Sequence, residues 1–321
     1  MNFLTRCSIL HGCLAADGTL YLTIMNDALA EQREQHAIPL MWRGGTWSCI
    51  DEEPFLPWLA AGVGTIGSAG PLAAIVGWGG QVLTVGPDGC GREGLQRPDG
   101  SSVAVVRAVA TVGDTVYAVC MRRQVYRRIG TGQWEAIDRG VADEGDEGAD
   151  VGFEAIDGFD DTELYAAGLN GEVWQRRDAR WHAIAAPTNV HLSALTCGAD
   201  GFVMVGGRTG TLLRGRDDAW EIRALPTQDT IWDICRFGPT LYLRLGSDVV
   251  TYAWDTDEMV PLEGLHDAAR LVCRGERLLV LGRKRIVSVE GAAWREIDTE
   301  LDADAIAPSL RDLLGGDDPD A

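Results

Sequence analysis

The chain has 321 residues, 46% of them hydrophobic, and a formal net charge of −20 from 28 basic and 48 acidic residues. No run approaches the roughly 20 apolar residues that a helix needs to cross a bilayer. Phosphate-bearing partners need clustered cations, so this balance excludes nucleic acid and anionic membranes, and Arg283-Lys284-Arg285 is too short to reverse that.

The first segment, Met1 to Cys13, lacks a continuous apolar stretch and places its arginine wrongly for a signal peptide, so a cytoplasmic location is expected. From there the chain is a succession of short alternating runs divided by turn residues, the pattern of antiparallel strands. The runs group into seven units at approximately 3–51, 55–97, 102–138, 152–184, 191–224, 231–264 and 268–298. The fourth unit is the clearest. Its strands are Phe153–Ile156, Leu164–Gly168, Glu172–Gln175 and Trp181–Ile184, with turns expected at Asp157-Gly158, Asn170-Gly171 and Asp178-Ala179. Asn-Gly tolerates the positive φ of tight hairpins. Two stretches read as helical: Asp27–Gln35, inserted between strands of the first unit, and Pro308–Leu314, with Gly315 as its stop.

The units share a motif: Leu-Tyr-x-x-Gly, a turn, a Val-x-x-Arg strand, a second turn, then Trp. It is plainest from Leu164 to Trp181 and from Phe202 to Trp220, with degraded copies closing at Trp47, Trp134 and Trp294. A period of about 40 residues marks a repeat architecture with one supersecondary unit per repeat. The fold class is therefore all-β: a seven-bladed β-propeller with four-stranded antiparallel blades. It forms one domain over 1–298, followed by a short acidic C-terminal tail over 299–321. A six-bladed propeller, with the first or second blade misread, is the alternative. Cys197, Cys235 and Cys273 recur at intervals of 38 residues, which suggests one inner-strand slot filled alike in three blades. The eight cysteines read as reduced core residues.

The acidity is concentrated. Residues 141–163 hold ten acids and no base, and residues 299–321 carry a net −6, so these two segments account for −16 of the −20. The first includes the inter-blade loop with Asp143, Glu144, Asp146, Glu147 and Asp150. A solvated charged loop, an electrostatic docking patch for a basic partner, and calcium binding are its alternatives. Of the eleven tryptophans, eight fall on repeat positions and read as packing. Trp58, Trp78 and Trp232 lie outside the repeat logic and are candidate interface anchors.

Enzymatic signals are thin, and no cofactor or metal site is expected. The five histidines show no metal-ligand spacing, and no Gly-x-Ser-x-Gly elbow is present. Asp160-Asp161 and Asp217-Asp218 sit in turn slots where Asp is an ordinary hairpin residue.

With Leu164 to Trp174, Trp181, and Gly206 to Trp220 as its signature, the chain resembles bacterial propellers built from YVTN, BNR or photosystem-II-assembly-factor-like repeats. Within that class it is similar to propellers encoded beside polymorphic toxins of type VI or Rhs kind. The resemblance implies a non-catalytic protein-binding propeller, an immunity protein that occludes the active site of a basic toxin domain. It would act as a monomer or in a 1:1 heterodimer. An assembly or maturation factor is the first alternative. A propeller glycosidase or lyase is the second, and would bring paired carboxylates together at the axis.

Overall fold

The computed structural model describes residues 1–50, 55–67, 72–86, 89–141, 150–275, 277–290, 293–302 and 308–314. Its strands form seven four-stranded antiparallel sheets, each continuous in sequence, which settles the blade count at seven. The first strand of every blade is innermost: Cys7–Leu14, Ala60–Thr65, Val106–Val112, Phe153–Asp160, Leu192–Cys197, Ile231–Phe237 and Ala268–Arg274. These seven strands pack side by side around the axis, and the last contacts the first to close the ring.

The repeat motif has a direct physical basis. Leu164 and Tyr165 are fully buried between blades. Gly168 ends the same strand where a Cβ would stand 1.9 Å from the Gly152 carbonyl oxygen, so only glycine lets the incoming segment pass that closely. Asn170 and Gly171 both take positive φ, as do Asp178 and Ala179 in the following hairpin. Asp157-Gly158, by contrast, is not a turn. The innermost strand runs on to Asp160, because Asp157 is tied to the next blade: its Oδ2 accepts from the Cys197 N–H at 2.8 Å. The pairs at Asp160 and Asp217 do serve turns; Asp160 Oδ1 accepts from the Thr162 and Glu163 N–H groups at 2.7 and 3.0 Å.

Blade-closing tryptophans are not equivalent. Trp47 and Trp181 are buried, and each donates from Nε1 to a carbonyl just beyond the outer strand of the preceding blade, Asp298 at 2.7 Å and Ile137 at 2.8 Å. Trp134 and Trp220 are half-buried, and Trp294 is exposed, so Trp294 leaves the packing role expected for it.

The ring is also tied at its ends. Asn2 pairs with Glu300, Leu301 donates its N–H to the Met1 carbonyl at 2.8 Å, and Leu310 and Leu314 of helix Pro308–Leu314 are buried beside Phe3 and Leu4. Lys284, the single lysine of the chain, donates from Nζ to the Leu4 and Cys7 carbonyls at 3.1 and 2.9 Å and pairs with Asp27. Asp27 opens the short helix Asp27–Glu31, inside the first-blade insertion and capped by Asn26 Oδ1, which accepts from the Leu29 N–H. No helix among the described residues is long and apolar enough to cross a membrane.

One cysteine expectation is corrected. Cys235 and Cys273 form a disulfide across blades six and seven, with Cα atoms 6.4 Å apart. The equal spacing of 38 residues hides a change of register: counted from the strand bulge described below, Cys197 and Cys273 lie four residues on and Cys235 three. A one-residue offset turns a strand side chain to the other face. Cys235 therefore faces blade seven while Cys273 faces back toward it, and Cys197 finds no such partner.

Candidate functional site

All seven innermost strands run the same way along the axis, and all seven carry a β-bulge near their start. A bulge leaves one residue unpaired and re-aims its side chain. On blades three to six the unpaired residues are Arg107, Glu154, Ser193 and Trp232; on blades seven, one and two they are Ala269, Leu10 and Ala61. The ring that results surrounds one mouth of a central cavity of about 700 Å³. One side is polar and aromatic, and the other is apolar.

Contacts between blades fix this rim. Arg107 donates from Nε and Nη2 to the two oxygens of Glu154, both at 2.9 Å, a bidentate pair joining blades three and four. Ser193 Oγ donates to the Ile231 carbonyl at 2.7 Å, joining blades five and six.

Trp78 and Trp232 both stand at this mouth. Trp78 is 44% exposed and Trp232 43%, and both line the cavity from different blades. Trp78 sits in the turn after the second strand of blade two. Its N–H donates to the Leu59 carbonyl at 3.0 Å and its carbonyl accepts from the Val106 N–H at 2.9 Å, so its backbone is pinned between two innermost strands. Val105 and Phe55 add exposed apolar surface at the starts of blades three and two. Trp58 lies at the same end but is half-buried, against the core of blade two and over Gly77, where a Cβ would come within 2.6 Å of its ring. Asp143, Glu144, Asp146 and Glu147 lie outside the described residues. Asp150 is described and exposed, and its carbonyl accepts from Asn170 Nδ2 at 3.2 Å.

One residue past each bulge is a second ring that sequence reasoning missed. Blades two to five place Gly62, Ala108, Ala155 and Ala194 there; blades six, seven and one place Asp233, Arg270 and His11. Arg270 Nη2 donates to His11 Nδ1 at 3.4 Å, which leaves the imidazole proton on Nε2. Burial and the neighbouring Arg270 push the His11 pKa down to about 3, so the ring is neutral. Asp233 accepts from the Leu271 and Ile234 N–H groups at 2.8 and 3.1 Å; burial raises its pKa, while Arg270 and Arg244 oppose the rise. Aligning the blades on the bulge, rather than on the Trp motif, is the signal that would have exposed this ring.

Deeper in the wall, burial raises the Asp157 carboxyl to about 6, against the Cys197 and Gly158 N–H groups that hold it. The folded chain thus keeps a proton that the unfolded chain releases near pH 3.8. The stability this proton gives is complete below about pH 4 and is lost as pH rises through about 6. Asp157→Asn should flatten the fall in denaturant midpoint across that window; equal slopes in both chains would contradict the assignment. The axial carboxylates Glu154, Asp157 and Asp233 are thus occupied in ties between blades. Among the described residues no group of three or more His, Cys, Asp or Glu could hold a metal ion.

No protein-family model matches the chain. The immune protein Tsi7 of Pseudomonas aeruginosa is 35% identical over 291 residues, spanning 87% of this chain and 93% of Tsi7. Among solved structures, YCF48 from Cyanidioschyzon merolae is similar with a TM-score of 0.65 at 14% identity, covering 88% of this chain and 95% of that one. Sqt1 of Saccharomyces cerevisiae follows with a TM-score of 0.63 at 12% identity, covering 91% and 84%. At such identities these two bear on the fold alone.

Proposed function

The chain belongs to the immunity-protein family of Tsi7, and on that premise we propose that it neutralises a cognate toxin by covering the toxin's active site with the bulge-ringed mouth of the propeller. The observation that carries the choice of face is the pair Trp78 and Trp232, large aromatics left about half exposed at one mouth, Trp78 on backbone pinned to two blades and Trp232 on a bulge that turns it out of the ladder. Interface energy concentrates in such anchors, set among near-neutral contacts that exclude water. Trp58 packs over Gly77, the residue before Trp78.

The segment with Asp143, Glu144, Asp146, Glu147 and Asp150 leads into the innermost strand of blade four, which begins at this same end. Its charge would draw in a basic toxin domain and raise the rate of encounter. Binding alone suffices for this role; the protein acts without catalysis, in the cytoplasm, in a 1:1 complex.

Co-purification with the product of the adjacent reading frame tests this directly: a tight 1:1 complex is expected, and several partners of moderate affinity would favour an assembly factor instead. Replacing Asp143, Glu144, Asp146 and Glu147 by lysine should slow capture and flatten its salt dependence in stopped-flow measurements. An association rate that keeps the wild-type salt slope would remove the loop from the mechanism.

A further inference from the structure

The wall of the central cavity holds a cation, Arg270, with no close ion pair among the described residues, although the Asp233 carboxyl feels its charge. Arg270 is half-buried in the second ring, and its one hydrogen bond among the described residues goes to His11, a neutral acceptor. A guanidinium carries five N–H donors. No carboxylate oxygen among the described residues stands within ion-pair distance of it: Asp233 has both oxygens on backbone N–H groups, and Glu154 is clamped by Arg107. Behind Asp233 lies a second arginine, Arg244, 8% exposed, with Nη1 on the Gly246 carbonyl at 2.6 Å and a buried Nε that has no partner. Across the cavity, where bulky side chains would fill the space, the ring has Gly62, Ala108, Ala155 and Ala194.

We propose that this mouth is a carboxylate-binding pocket in which Arg270 takes the anion in its guanidinium fork, opposite the small-residue wall and beneath Trp232. A planar fork of donors matches a carboxylate in geometry. The charge at this ring fits a single negative group, because the other cavity-lining arginine without an ion pair among the described residues, Arg274, stands at the far end of the strand Ala268–Arg274 and donates to Thr65 Oγ1 at 2.6 Å. A phosphate dianion would need a second cation beside Arg270 and would meet stronger repulsion from the Asp233 carboxylate next door. The carboxylate comes either from a small acid or from an acidic side chain that the protein partner inserts through the mouth. The pocket stands whether or not the partner is a toxin.

Calorimetric titration of the full chain with N-acetylglutamate, beside its neutral isostere N-acetylglutamine, tests the pocket without any partner. The acid should bind and the amide should not. Arg270→Gln should weaken the acid by at least about tenfold, the equivalent of one modest charge-assisted contact. Ala155→Leu fills the facing wall without altering any charge, and should weaken it too if Arg270→Gln does not fold. No binding of the acid, equal binding of acid and amide, or unchanged affinity in the folded variants would overturn the proposal. Saturating N-acetylglutamate then separates the two sources: slower partner capture points to an acidic side chain of the partner, and unchanged capture to a free acid.

Discussion

Replacing Trp78 and Trp232 together by alanine is expected to weaken toxin capture by about a thousandfold, taking about 2 kcal/mol for each central aromatic anchor. The loss should fall mainly on the dissociation rate, since the two rings add buried apolar contact and no long-range charge. Folding should be nearly untouched. Both side chains are close to half exposed, and neither belongs to a core cluster. The backbone of Trp78 would keep the same partners, because its hydrogen bonds to Leu59 and Val106 involve main-chain atoms only. Surface plasmon resonance of the double variant, with its thermal midpoint as control, gives both numbers. A change in affinity below about threefold would move the interface elsewhere.

Trp181→Ala is expected to cost about 3–5 kcal/mol of stability, the range for truncating a buried large aromatic. Trp181 is 1% exposed and packs at 5.8 Å between ring centroids from Phe153, in a cluster drawn from blades three and four. Its Nε1 donation to the Ile137 carbonyl fastens one blade to the preceding one, so the variant also leaves a buried acceptor unpaired. Trp294→Ala, at the corresponding strand position of blade seven, should change stability by no more than about 0.5 kcal/mol, because that side chain is 38% exposed. Urea denaturation of the two variants compares them directly; similar losses would mean that the repeat position, and not burial, sets the energy.

That contrast shows where the sequence is informative. The strand alternation, the Leu-Tyr-x-x-Gly motif and the hairpin residues report local backbone preferences, so the blade count and nearly every strand could be read from them. The channel mouth could not. A bulge is a mismatch in pairing between two strands and leaves no residue signature of its own, so the positions of Arg107, Glu154 and Trp232 around one rim emerge only from the register. His11, Asp233 and Arg270 come from three blades, two of them at opposite ends of the chain, and meet because the ring closes. The cysteine series misled for a related reason: equal spacing in number concealed a one-residue shift in register. Trp58, Trp78 and Trp232 stand out in the sequence by subtraction, as aromatics the repeat does not need, and of the three only Trp78 and Trp232 are exposed.

In the proposed function the bulge-ringed mouth, and not the opposite face, covers the toxin. Hydrogen–deuterium exchange of the free chain and of its toxin complex tests it most directly. Protection on binding should concentrate in the segments around Trp78, Arg122, Val151 and Trp232, which share that end of the axis. Protection confined instead to the hairpin turns at Asp114, Asp161 and Phe202, at the far ends of the innermost strands, would contradict it.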